Sequence, residues 1–307
     1  AWLPVLALVV FAVAMFFKIL APGACLLTTD DNIGGVALPA ATLPSAFYGW
    51  WSDTTFVGYP GGLLPLSWNY LLMWGLPLTG YINWIHAINL GLASLFVGLF
   101  LRRRGVGWAA CAVGVLTAFW LGSNFTLTYA GHIGKFGVLL FAAVSLFCLD
   151  RALRRGPSLL WAVLTGGALG LMFLEQLDVA LFFGFVLGAY ALFLAVRQWM
   201  AARAWLKPVL ALGIMGAVAL LIAANTMLSG YTSNVEAAAS VQEESPRQKW
   251  EFVTQWSWPP EESIDFIAPG YMGWRSGEPA GPYWGRMGRS AGWEQTRQGF
   301  MNFKLEN

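Results

Sequence analysis

Charge is scarce in this chain: 11% of its 307 residues are Asp, Glu, Lys or Arg, where a soluble domain carries about a quarter. That shortage excludes an ordinary water-soluble globule. The formal charge of +2 comes without any basic tract, which excludes a nucleic-acid-binding surface. Cysteine is limited to Cys25, Cys111 and Cys148, with no paired spacing, so neither a disulfide framework nor a CxxC metal site is expected. His86 and His132 are the sole histidines, and a bis-His haem would need both. No phosphate-binding glycine loop and no nucleophile elbow occurs. Chemistry that depends on a nucleotide-binding domain is therefore excluded.

Apolar residues are plentiful, at 57%, with 17 Trp. Runs long enough to cross a bilayer, about 17–25 residues, recur along the chain. Seven can be drawn, at 2–20, 83–101, 106–122, 136–149, 158–174, 179–196 and 208–228. The run 136–149 is short and is expected to extend back through 131–135. Uninterrupted apolar runs satisfy their backbone in lipid as helices. The expected fold is an all-α integral membrane protein of about seven helices, with a transmembrane domain over 1–228 and a long outer loop over 21–82. A Trp-, Gly- and Pro-rich outer segment over 229–307 follows, ordered by its aromatic content, with further spans expected beyond it. The run 2–20 lacks a basic start and a cleavage site, so it reads as a retained span. The apolar stretch 62–77 is bounded by Pro65 and Pro77 and reads as an interfacial helix.

Charge sign sorts by side. Arg102–Arg104, Arg151, Arg154, Arg155, Arg197, Arg203 and Lys207 lie in alternate loops, which makes those loops cytoplasmic and the N-terminus inside. Asp30, Asp31, Asp53, His132, Lys135, Glu175 and Asp178 lie in the opposite loops. Three short stretches could carry chemistry there. In TTDDNIGG, Asp30 and Asp31 could bind a divalent cation such as Mg or Mn, or take a proton from a hydroxyl; a solvated turn is the plain alternative. In AGHIGKF, His132 and Lys135 would share a helical face suited to a phosphate, with Gly131 and Gly134 permitting close approach. A helix start with a snorkelling Lys is the alternative there. In LEQLD, Glu175 and Asp178 are rim carboxylates, either functional or paired with Lys135 or Lys18. His86 and Asn89 share one face of the second run, where a lone His is usually a core residue.

TTDDNIGG, AGHIGKF, LEQLDVALF, the tail segment WSWPPEESIDFIAPGYMGW and the following GPYWG, taken in order, resemble the YfhO-like bacterial membrane proteins of the GT-C glycosyltransferase superfamily. The resemblance implies an enzyme of the bacterial inner membrane that takes a sugar from a polyprenyl-phosphate carrier on the outer face. It implies Asp30 or Asp31 as general base or metal ligand, His132 and Lys135 as donor-phosphate contacts, and Glu175 with Asp178 as pocket residues. Membrane lipids and the lipid-linked donor would be its partners. The alternative is a non-catalytic accessory subunit, whose aromatic surfaces meet protein partners in a membrane complex. A transporter would show internal repeats, and none is evident.

Overall fold

The structure, a computed structural model, describes residues 10, 13, 16–20, 23–26, 31–49, 51–52, 57, 59–60, 64–120, 124, 128, 131–154, 156–203, 205–231, 247, 250, 259–268 and 271. The chain divides into two compact units, Ala1–Thr232 and Ser233–Asn307. In the first, eight α-helices are described: α1 (Ile33–Thr42), α2 (Trp68–Gly75), α3 (Leu78–Arg103), α4 (Trp108–Phe119), α5 (Ile133–Leu153), α6 (Leu159–Glu175), α7 (Leu177–Ala202) and α8 (Leu206–Tyr231). The sole described strands are a two-residue antiparallel pair, Trp51–Ser52 with Tyr59–Pro60. In the second unit a 3-10 helix spans Pro260–Phe266, with Glu262 buried.

Four helices, α3, α5, α7 and α8, are long and apolar enough to cross a membrane. The remaining expected spans differ. The run 106–122 yields α4, whose 12 residues extend about 18 Å against a hydrocarbon core of about 30 Å. The run 158–174 yields α6, at 17 residues the shortest length that suffices. Most of 2–20 lies outside the described residues, and Phe17–Leu20 is a 3-10 turn. Segment 62–77 contributes α2, eight residues and about 12 Å long, too short to cross. Its start is set by Ser67, whose hydroxyl accepts the Tyr70 N–H at 3.3 Å.

Helix α5 is the centre of the bundle: 72% of its apolar window is buried, against 22–33% for α3, α7 and α8. It begins at Ile133, further back than the apolar run 136–149, and continues to Leu153. Phe136 and Ala143 pack with Leu90 and Ala93 of α3. Val138, Leu140 and Ala142 pack with Ala168 and Met172 of α6 and Leu187 of α7. Helix α6 meets α8 through Gly166 and Gly170, one turn apart. A Cβ on Gly166 would stand 2.6 Å from the Met215 carbonyl oxygen, and one on Gly170 would stand 2.7 Å from the Ile222 Cβ. Small residues four apart let two helix backbones touch where no hydrophobic drive separates protein from lipid. That GxxxG pairing is written in the sequence GGALG and holds the most extensive helix contact in the bundle.

The ends of α5 carry opposite chemistry. Its start borders Asp31 and Glu175, whereas Asp150, near its finish, is buried beside Arg103, Arg104 and Arg154 at 4.0, 3.5 and 3.9 Å. Seventeen residues of helix separate Ile133 from Asp150, about 25 Å, close to the thickness of a bilayer core. Asp150 is the exception to the sorting of acids from arginines.

Candidate functional site

A cavity of about 380 Å³ lies at the α5 start. Five stretches of the chain build it. Asn32 caps α1, accepting the Gly35 N–H at 2.9 Å, and so presents Asp31 beside Gly35 and Val36. Helix α2 contributes Asn69 and Tyr70, the turn before α5 contributes His132, and the end of α6 contributes Glu175 and Gln176. Tyr81 of α3 closes the wall.

Buried amides hold these pieces together. Asn89 of α3 donates to the Asn69 Oδ1 at 3.0 Å and accepts from the Trp68 indole N–H at 3.0 Å. The Asn69 amide donates onward to the Ile133 carbonyl at 3.3 Å. In low-dielectric surroundings such paired amides fix a geometry, because each unpaired group would cost the full desolvation penalty. Asn83, earlier on α3, accepts the Leu26 N–H at 2.8 Å and donates to the Ala24 carbonyl at 2.9 Å, tying the chain that leads to Asp31.

Glu175 is the most unusual group. It ends α6, and the chain breaks at Gln176 in extended conformation before α7 begins. Its Oε1 accepts the Asn69 N–H at 3.3 Å. Burial pushes its carboxyl up to about 7, while the backbone N–H groups of Asn69 and Trp68 favour the charged form and pull the other way. A carboxyl that titrates near neutrality can hold or release a proton in use. Burial, then the Asp31 and Glu175 carboxylates, raise the Tyr70 hydroxyl, which keeps it a neutral donor.

The expected site residues divide. Asp31, His132 and Glu175 all line the cavity. Asp30 lies outside the described residues, as do Asp53 and most of the tail, including Trp256, Trp258, Trp274, Trp284 and Trp293. Lys135 and Asp178 are not among the lining residues. Helix α5 starts at Ile133, so His132 stands before it as N-cap rather than on a shared face with Lys135. The break at Gln176 parts Glu175 from Asp178, and Asp178 falls in the exposed first turn of α7, where a negative charge suits the helix dipole. Close approach at Gly134 serves the chain itself: a Cβ there would stand 2.9 Å from the Glu175 carbonyl oxygen, and Gly131 adopts φ 90° in the preceding turn. Asp31 has a structural duty too. Its Oδ2 accepts the Ile133 N–H at 3.1 Å, supplying a cap that His132 does not.

No set of three or more His, Cys, Asp or Glu placed to hold a metal occurs among the described residues. Of the two carboxylates expected to hold a divalent cation, Asp30 lies outside the described residues, and Asp31 Oδ2 accepts the Ile133 N–H. Tyr70, Tyr81, Asn69 and Gln176 were not singled out by sequence reasoning; the buried Asn in SWNYLLMW was the available signal, since an amide in an apolar stretch demands partners. The chain matches no protein-family model, no curated protein and no solved structure.

Proposed function

We propose that this helical membrane protein is a group-transfer enzyme whose site is the cavity at the start of α5, working as a GT-C-like glycosyltransferase on a polyprenyl-phosphate-linked sugar. One observation carries the reading: Asp31, Tyr70, His132 and Glu175, from four separate stretches, line one polar cavity at the end of the bundle opposite the arginines. The arginine-rich ends belong on the cytoplasmic side of a bacterial inner membrane, which puts this cavity on the outer face.

The acceptor hydroxyl attacks the anomeric carbon, and the carbon–oxygen bond to phosphate breaks as the lipid phosphate leaves with the electron pair. Glu175 takes the hydroxyl proton. Its carboxyl, raised to about 7, suits that task near neutrality, whereas Asp31 is exposed and its Oδ2 is engaged in capping α5. His132 and the Tyr70 hydroxyl donate to the departing phosphate, stabilising the charge that develops there.

The test is transfer from polyprenyl-phosphate-linked hexoses by the full chain reconstituted in vesicles. Glu175→Gln should abolish transfer while membrane insertion and a cooperative unfolding transition are retained. Full activity in Glu175→Gln would overturn the assignment. Absence of transfer with every hexose, together with stoichiometric recovery of partner subunits, would favour an accessory role instead.

A further inference from the structure

A second cavity, of about 390 Å³, lies within the bundle between α5, α6, α7 and α8, a volume in the range of ligand pockets, roughly 300–1,000 Å³. It is elongated along the helices: its α7 wall runs from Leu181 to Leu192, about 16 Å at helical rise. Leu181, Phe185 and Leu192 on that wall are exposed, so the slot opens on the apolar outer surface of the bundle. Gly188 and Gly216 line it beside open space, where a Cβ on either would meet nothing within 4 Å.

Ser145 adds an observation of a different kind. It lines the slot and is fully buried, and its hydroxyl has no hydrogen-bond partner among the described residues. A hydroxyl in apolar surroundings stays unsatisfied only at a cost, so its position marks where a polar ligand atom belongs. Ser145 lies five residues before Asp150, about 7 Å along α5. The slot ends at the helical level of the arginine layer: lining residue Leu149 precedes Asp150 in α5 and lining residue Ala191 follows Tyr190 in α7, while the arginines themselves stand outside its lining. There Tyr190 accepts from Arg104 at 2.8 Å and donates to Asp150 Oδ1 at 3.5 Å. Three arginines surround one carboxylate, leaving positive charge in excess.

The geometry points to a binding site for one anionic phospholipid: phosphodiester at Arg103, Arg104 and Arg154, ester oxygen at Ser145, and one acyl chain in the slot between α6, α7 and α8. The layering is that of the lipid itself, with charge at the helix ends, one polar atom a few ångströms deeper, and an apolar channel parallel to the chains. This site is separate from the cavity at the start of α5 and does not depend on its chemistry.

The experiment labels the full chain, purified in mild detergent, with phosphatidylglycerol or phosphatidylcholine carrying the same diazirine acyl chain, and maps cross-linked peptides. Phosphatidylglycerol should label the α7 and α8 segments around Gly188 and Gly216 roughly tenfold more than phosphatidylcholine. Gly188→Leu with Gly216→Leu grows side chains into open space, so the fold is kept, and that labelling should fall about tenfold. Arg104→Gln with Arg154→Gln should bring phosphatidylglycerol down to the phosphatidylcholine level. Equal labelling by both lipids, or undiminished labelling in the Leu variant, would overturn the site. The headgroup comparison on the unmodified chain decides the charge requirement even where the arginine variant does not fold.

Discussion

Glu175 lies against Gly137 so closely that a Cβ on the glycine would stand 2.6 Å from its Oε2 and 2.7 Å from its Cδ. A carboxylate at the end of one helix is thus held on the bare backbone of another, in a gap that hydrogen alone can fill. Gly137→Ala must push the Glu175 side chain away. The expected outcome is loss of transfer in the vesicle assay with a destabilisation of about 1–3 kcal/mol, the usual cost of overpacking. Unchanged activity would show that Glu175 needs no such support.

Titration of Glu175 gives a prediction with a definite sign. Its folded carboxyl, at about 7, is raised from the ordinary 4.5. The folded state therefore holds a proton that the unfolded chain has released, and stability should decline as pH rises from about 4.5 to 7. Activity should follow the opposite course, rising through about pH 7 as Glu175 becomes able to accept a proton. Thermal unfolding against pH for the unmodified chain and Glu175→Gln tests the first; the substituted chain should lose that part of the slope.

Asp31 separates capping from catalysis. Asp31→Asn retains an oxygen for the Ile133 N–H and removes the charge, whereas Asp31→Ala removes both. With Glu175 as the base, Asp31→Asn should keep most of the transfer rate. Asp31→Ala should lower stability by about 0.5–2 kcal/mol, as for other lost helix caps. A dead Asp31→Asn variant with normal unfolding would return the base role to Asp31.

At the other end of α5, Asp150→Asn strands three arginines around a buried, uncharged amide. The arginines left behind are a quarter to a third exposed and so partly hydrated, and a lower midpoint of thermal unfolding is expected, smaller than for a fully buried pair. The loss should shrink in Asp150→Asn combined with Arg154→Gln, because one uncompensated charge is gone. Equal losses in the single and double variants would mean that Arg154 is not part of the cluster.

The α6–α8 contact gives the last prediction. At Gly170 even a single added Cβ would stand 2.7 Å from the Ile222 Cβ, so the larger side chain of Gly170→Leu must force the two helices apart. Protease sensitivity between α7 and α8 should increase. Gly167→Leu, at a position where a Cβ meets nothing within 4 Å, should have little effect.

Much of the helical layout is legible in the sequence, and particular residues show where legibility stops. The apolar runs around Leu90, Leu140, Leu187 and Met215 announce helices because length and hydropathy are local properties. The ends are less legible. Helix α5 starts at Ile133 because Asp31, 102 residues earlier in the chain, supplies its cap. Helix α4 ends at Phe119 although the apolar run continues to 122. The same limit governs the site. Sorting acids from arginines brings Asp31, His132 and Glu175 forward, yet Lys135 and Asp178 share that pattern and do not line the cavity. Spacing of three is a helix-face argument, and it fails where a helix starts or stops between the two residues. His132 and Lys135 straddle such a boundary; so do Glu175 and Asp178.

Composition alone pointed to a bilayer-compatible helical chain, because few charges and long apolar runs favour helices that satisfy their own backbone in lipid. Which carboxylates are enclosed was decided elsewhere. Proton affinity at Glu175, the cap from Asp31 and the arginines around Asp150 arise from groups far apart in sequence. Desolvation and ion pairing depend on the whole surroundings in three dimensions, which no local pattern records.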